Sequence, residues 1–190
     1  MLTTRFGIEI EFTGISRTEA AKVAADFLNG SVSIQGDYYN SHEVVAADGR
    51  VWKFMSDGSI ACQRKLGGRK VPADKRYSVE MVSPILTYQG DIASLQELVR
   101  QLRRAGAFVN STCGIHIHLD GAKHTTRSIR NFVNIIASRN DLLYKALQVE
   151  PNRMRYCKEL DSLLVKRMNN LKPTTLQEIE DIWYAGYRTN

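Results

Sequence analysis

Thr4-Arg5-Phe6-Gly7-Ile8-Glu9-Ile10-Glu11-Phe12-Thr13 alternates apolar and polar residues without a break. A strand turns successive side chains to opposite faces, so Phe6, Ile8, Ile10 and Phe12 share one side. Arg5, Gly7, Glu9, Glu11 and Thr13 share the other. The same division recurs over residues 76–83, where Tyr77, Val79 and Met81 oppose Ser78, Glu80 and Val82, and Pro84 ends the run. It recurs again over residues 112–119. There Ile115, Ile117 and Leu119 are expected to face inward, with Gly114, His116, His118 and Asp120 on the opposite side.

Around these three strands the pattern predicts helices and turns. Ser16-Arg17-Thr18-Glu19 is a capping-box signature and Gly30 a stop, so a helix is expected over 17–29. Val32 to Tyr39 can form a strand, and Asp48-Gly49 reads as a hairpin turn into a strand over 50–56. Gln63 to Asp74, polar, basic and centred on Gly67-Gly68, reads as a mobile loop. Asp91 is expected to cap a helix running to Gly106, with Ile92, Leu95, Leu98, Val99 and Leu102 as its buried stripe. After Asp120 the chain reads as helical over 125–149, 152–170 and 174–186. Hairpin signals between the strands favour an α+β fold with a mostly antiparallel sheet. The expected organisation is one domain, 1–190, with a sheet-rich core over 1–120 and a helical segment over 121–190.

With 190 residues, 43% of them hydrophobic, the chain can bury a real core without disulfides. Its three widely spaced cysteines and the absence of a signal-peptide pattern lead us to expect a cytoplasmic protein. No apolar run is long enough to span a membrane. A net charge of +6 raises the question of nucleic acid. The cations, however, cluster at 64–76 and at Arg100, Arg103 and Arg104 without interleaved aromatics, so nucleic acid is disfavoured.

The three strands carry Glu9 and Glu11, Glu80, and His116 and His118, each opposite an apolar stripe. If they are neighbours, the carboxylates and imidazoles converge over one sheet face. Crowded carboxylates are costly to ionise unless a cation compensates them, which points to a divalent metal. Oxygen-rich ligation suits Mg²⁺ or Mn²⁺ better than structural zinc. His42 and His124 have no patterned neighbours and read as surface residues, Cys113 as a core cysteine, and Trp183, Tyr184 and Tyr187 as helical packing.

Phe6-Gly7-Ile8-Glu9-Ile10-Glu11-Phe12, Trp52 with Asp57-Gly58-Ser59, Val79-Glu80-Met81-Val82-Ser83-Pro84, and Cys113-Gly114-Ile115-His116-Ile117-His118, in this order, resemble the amidoligase family. That family is similar to glutamine synthetase and glutamate–cysteine ligase in its catalytic domain. The resemblance implies a glutamine synthetase-like sheet and an ATP-dependent ligase joining a carboxylate to an amine through an acyl-phosphate. It implies that Glu9, Glu11 and Glu80 ligate two Mg²⁺ or Mn²⁺ ions. His116 and His118 would supply a further ligand and a group near the γ-phosphate or substrate, in an order left open. Asp57 would lie near substrate or metal. A lid over the acyl-phosphate would come from the basic segment, with Arg64 at the reaction and Lys65, Arg69 and Lys70 on the nucleotide. The substrates would be small-molecule or peptide carboxylates and amines.

The family's pattern continues into a final strand carrying a Glu and an Arg, and the sequence stops at Tyr187-Arg188-Thr189-Asn190. A shortened chain, a partner or second copy completing the sheet, and a degenerate site are the three expectations this raises. Two further functional readings stay open. One is a metal-dependent hydrolase or oxygenase built on His116 and His118. The other is a non-catalytic binding protein on a ligase scaffold.

Overall fold

A computed structural model describes residues 4–154 and 156–185 of the chain. It divides into two compact units, residues 1–120 and 121–190. The fold is α+β. In the first unit nine strands occur: β1 (Arg5–Phe12), β2 (Ser31–Ile34), β3 (His42–Val45), β4 (Val51–Met55), β5 (Gln63–Leu66), β6 (Arg69–Pro72), β7 (Val79–Val82), β8 (Leu86–Thr87) and β9 (Ile115–Leu119). Two helices accompany them, α1 (Arg17–Leu28) and α2 (Tyr88–Arg104). Seven strands form one sheet in the order β2-β3-β4-β7-β1-β8, with β9 pairing β1 along its other edge, and every pairing is antiparallel.

The apolar stripe of β1 behaves as its alternation demands: Phe12 is buried, and Phe6, Ile8 and Ile10 pack against the core with Val79, Met81, Val44 and Phe54. Helix α1 meets β2, β3 and β4 through Ala20, Ala21, Ala24 and Ala25, all buried. Four small side chains in one stripe let a helix sit close to a sheet. Its capping box is present, with Glu19 accepting from the Ser16 backbone N–H. The helix is terminated by Asn29 in the left-handed region (φ 50°). Gly30 follows with its Cα so near the Val45 carbonyl that a side chain would collide with it. Helix α2 buries Leu95, Leu98 and Leu102, each worth roughly 1.5–3 kcal/mol of transfer free energy.

Several expectations are corrected. The segment over 63–74 is a two-stranded hairpin, β5–β6, rather than a loop. Gly67 and Gly68 both have positive φ (57° and 79°), which the type I′ turn requires. Helix α2 starts earlier than Asp91, at the N-cap Thr87, and the Asp91 carboxylate reaches back to the Thr87 N–H at 2.7 Å. Residues 75–77 form a 3₁₀ turn, so the second ligand strand, expected over 76–83, is the shorter β7. Ile115, Ile117 and Leu119 are exposed, each by more than 60%. The reason is position: β9 is an edge strand paired with β1, while α1 lies on β2–β4 and α2 on β8. His42 is buried, its ring nitrogens bonded to Thr18 Oγ1 and the Asn40 carbonyl.

The second unit contains α3 (Thr126–Ala146), α4 (Ser162–Leu171) and α5 (Leu176–Tyr184) around a small core of Val133, Met168, Ile179 and Ile182. The helix expected over 152–170 is interrupted. Pro151 opens a 3₁₀ turn, and the Asp161 side chain caps α4 only at Ser162. Tyr187 and Arg188 lie outside the described residues. No described helix is long and apolar enough to cross a membrane.

Candidate metal centre

The centre is set by register. Glu11 on β1 faces Glu80 on β7, and Glu9 faces His116 on β9, with Gly7 opposite His118. Cross-strand partners share a face, so the period of two that places Glu9 and Glu11 together also brings Glu80 and both histidines to them. Asp57 joins from the segment after β4. Its backbone exchanges two hydrogen bonds with the Ser78 hydroxyl: the Asp57 N–H donates at 3.0 Å, and Ser78 Oγ donates to the Asp57 carbonyl at 2.6 Å.

Two three-residue groups result, each with one ligand atom per residue and all three atoms within 4.8 Å of one another. One is Glu9, Glu80 and His116. The other is Glu11, Asp57 and Glu80. Glu80 belongs to both. Burial, and then the charges of Glu9, Asp57 and Glu11, raise its carboxyl to about 7, with His116 opposing them. A carboxyl this reluctant to ionise fits a site meant to hold cations, and the donor set of four carboxylates and an imidazole fits Mg²⁺ or Mn²⁺.

The remaining partners fix these groups in place. Glu11, buried, accepts the Gly114 N–H at 2.6 Å. Glu9 Oε2 is 3.0 Å from His116 Nδ1, and Glu9 Oε1 is 3.1 Å from His118 Nε2. His118 is thus held on Glu9 and belongs to neither three-residue group.

The sequence gives no pattern for three supporting residues. Asn110 Nδ2 donates to the Ala61 carbonyl (2.8 Å) and to Gln63 Oε1 (3.1 Å), while its Oδ1 accepts from Thr112. This ties the approach to β9 against the segment leading into the hairpin. Ser78 braces Asp57. Arg17, buried at the first position of α1, donates to the carbonyls of Lys75 and Ser78. Only a buried Arg beside chain-turning carbonyls would have signalled that role, and burial is not visible in one sequence.

The basic hairpin is divided by its own pleat. Lys65 and Lys70 are cross-strand partners, and both amino groups lie on the Phe108 ring, 5.6 and 4.6 Å from its centre. Arg64 pairs with Val71 and Arg69 with Leu66 on the opposite hairpin face. Among the described residues no hydrogen bond or ion pair joins these four side chains to the carboxylates.

An antiparallel α+β unit with a carboxylate-rich face of this kind defines a protein with an enzyme-like acidic centre. A family model described as "Putative amidoligase enzyme" matches residues 2–190, and the chain belongs to that amidoligase family, whose general activity is ligation. No curated protein and no solved structure matches the chain.

Proposed function

We propose that the protein is an ATP-dependent carboxylate–amine ligase working through an acyl-phosphate, with two divalent ions at the centre. The observation that carries this reading is Glu80 standing in two ligand groups at once, the arrangement expected of a carboxylate bridging a pair of ions. Glu9, Glu80 and His116 would hold one ion; Glu11, Asp57 and Glu80 would hold the other. Bound Mg²⁺ or Mn²⁺ would supply neutralisation of the phosphate oxygens, the main requirement of phosphoryl transfer.

The chain's own residues do the rest. The Gly114 N–H fixes Glu11, and Ser78 fixes Asp57, so the ligand atoms need little rearrangement on binding. His118, oriented by Glu9, lies beside the centre as a group able to accept a proton from the attacking amine. Of the cations on the β5–β6 hairpin, one face only can meet a nucleotide: Arg64 and Arg69, opposite the Lys65 and Lys70 that lie on Phe108, supply countercharge for its phosphates and the departing phosphate.

The test is release of ADP from ATP that depends on a carboxylate and an amine. Glu11→Gln and Glu80→Gln are expected to abolish it. Undiminished ATP turnover in Glu11→Gln would overturn the assignment.

A further inference from the structure

Ile10 and Met81 are cross-strand partners on β1 and β7. Each is next in sequence to a carboxylate of the metal centre, and alternation turns it to the opposite face of the sheet. On that face a cavity of about 620 Å³ opens between the strands, the last turn of α2, residues 107–109 and the β5–β6 hairpin. Its volume falls within the roughly 300–1,000 Å³ of small-ligand sites. Every residue that lines it is apolar except Lys65 and Arg103. Val109 and Ile115, two of the apolar ones, are 60% and 63% exposed, so part of the wall faces water.

The cations at its rim are not balanced. On α2, Arg100 and Arg104 pair with Glu97, but among the described residues no carboxylate pairs with the exposed Arg103. Lys65 and Lys70 stand directly opposite one another in the hairpin ladder, where like charges weaken a strand pair. Both amino groups lie over the ring of Phe108, which itself lines the cavity. Neither lysine has a carboxylate partner among the described residues. An aromatic face compensates a cation only in part. An anion at the rim completes the compensation.

We infer that this cavity binds a free amphiphilic monoanion, a medium-chain carboxylate. Its hydrocarbon chain covers Ile10, Met81, Leu102, Val109 and Ile115, and its head meets Lys65 and Arg103. A peptide in the same place would set backbone N–H and C=O groups against apolar walls without partners, a cost that a hydrocarbon chain does not carry. The site is separate from the metal centre and does not rest on the ligase reading.

The test uses the full chain with isotope-labelled isoleucine methyl groups, in the presence of a chelator and below the micelle-forming concentration of each probe. Octanoate is expected to shift the methyl signals of Ile10 and Ile115 and to leave those of Ile129 and Ile179 in place. 1-Octanol is expected to bind about tenfold more weakly, the factor of one charge-assisted contact, and octylammonium more weakly still. The double variant Lys65→Gln/Arg103→Gln, changed only at exposed positions, is expected to bind octanoate no better than the alcohol. Val109→Trp, which fills the cavity from an exposed position, is expected to abolish the shifts with the melting temperature unchanged. No response to octanoate, equal binding of the three probes, wild-type affinity in the double variant, or shifts that survive Val109→Trp would overturn the inference. So would Ile10 and Ile115 shifts that follow protein concentration alone, which would give the cavity to a second copy. Loss of the octanoate response on phosphatidylglycerol vesicles that sediment the protein would give it to a membrane lipid, and would overturn the assignment to a free ligand.

Discussion

Glu11 and Glu80 stand directly opposite one another across the β1–β7 ladder, and Glu11 is buried. Like charges in that position weaken a strand pair. The two residues resolve the conflict differently. Glu11 takes a backbone N–H from Gly114 at 2.6 Å. Glu80, with no comparable donor among its described contacts, retains a proton up to about pH 7. The sheet therefore carries a local strain that a cation would relieve.

Stability in the absence of metal should fall as pH rises across this range. The folded-state carboxyl of Glu80 is raised from its ordinary 4.5 to about 7. Its contribution is fully present below about 4.5 and is lost as pH rises through 7. Thermal unfolding in a chelator at pH 5 and pH 8 should show a lower melting temperature at the higher pH. The Glu80-dependent part should vanish in Glu80→Gln. An identical pH profile in the variant would mean that other groups set it.

Divalent ions should act in the opposite sense. Mn²⁺ at pH 8 is expected to raise the melting temperature of the wild type, because an ion that binds the folded chain alone stabilises it by mass action. Without metal, Glu80→Gln should be more stable than the wild type at pH 8 by on the order of 1 kcal/mol, after discounting for its half-exposed position. With Mn²⁺ the order should reverse, since the variant loses the residue common to both ligand groups. Glu9→Gln and Asp57→Asn should each lose part of the Mn²⁺ effect.

Much of this site was legible in the sequence. The E-x-E, Glu80 and H-x-H strands each declared their faces by alternation, and register then placed Glu9 beside His116 and Glu11 beside Glu80. Strand order was not legible, because it depends on non-local pairing. For that reason Ile115, Ile117 and Leu119 were expected inside and lie exposed on an edge strand. The hairpin at 63–72 was missed although Gly67-Gly68 announced its turn, because charged residues outnumbered the apolar ones that mark strands. The Gly114 clasp on Glu11 had no signal, since every residue but proline carries a backbone N–H.

The Gly67-Gly68 turn gives a test of the hairpin's role. Both residues occupy φ values that β-branched side chains adopt at high cost. Gly68→Val should disrupt β5–β6 while leaving the main sheet intact, because the hairpin forms a separate two-stranded sheet. Gly67→Asn, which preserves an Asn-Gly turn, should be tolerated. On the ligase reading the first variant raises KM for ATP, and the second leaves it near wild type. Equal KM values in both would remove the hairpin from nucleotide binding.

Arg17 links the helix layer to the centre. Its guanidinium is buried and holds the carbonyls of Lys75 and Ser78, and Ser78 in turn holds Asp57 through its hydroxyl. Arg17 Nε has no partner among the described residues, and burial lowers the pKa of the guanidinium. Removing the side chain in Arg17→Ala takes the guanidinium donor from the Ser78 carbonyl and leaves the Lys75 carbonyl with the Ser78 N–H alone, at a cost of roughly 2 kcal/mol. Ser78→Ala deletes only the link to Asp57. It should cost less stability yet still weaken Mn²⁺ binding, whereas Ser78→Thr, which keeps a hydroxyl, should restore it. Calorimetry on the three variants, with Mn²⁺ titration of each, separates the two effects. A Ser78→Ala protein with wild-type Mn²⁺ affinity would show that Asp57 holds its position without the brace.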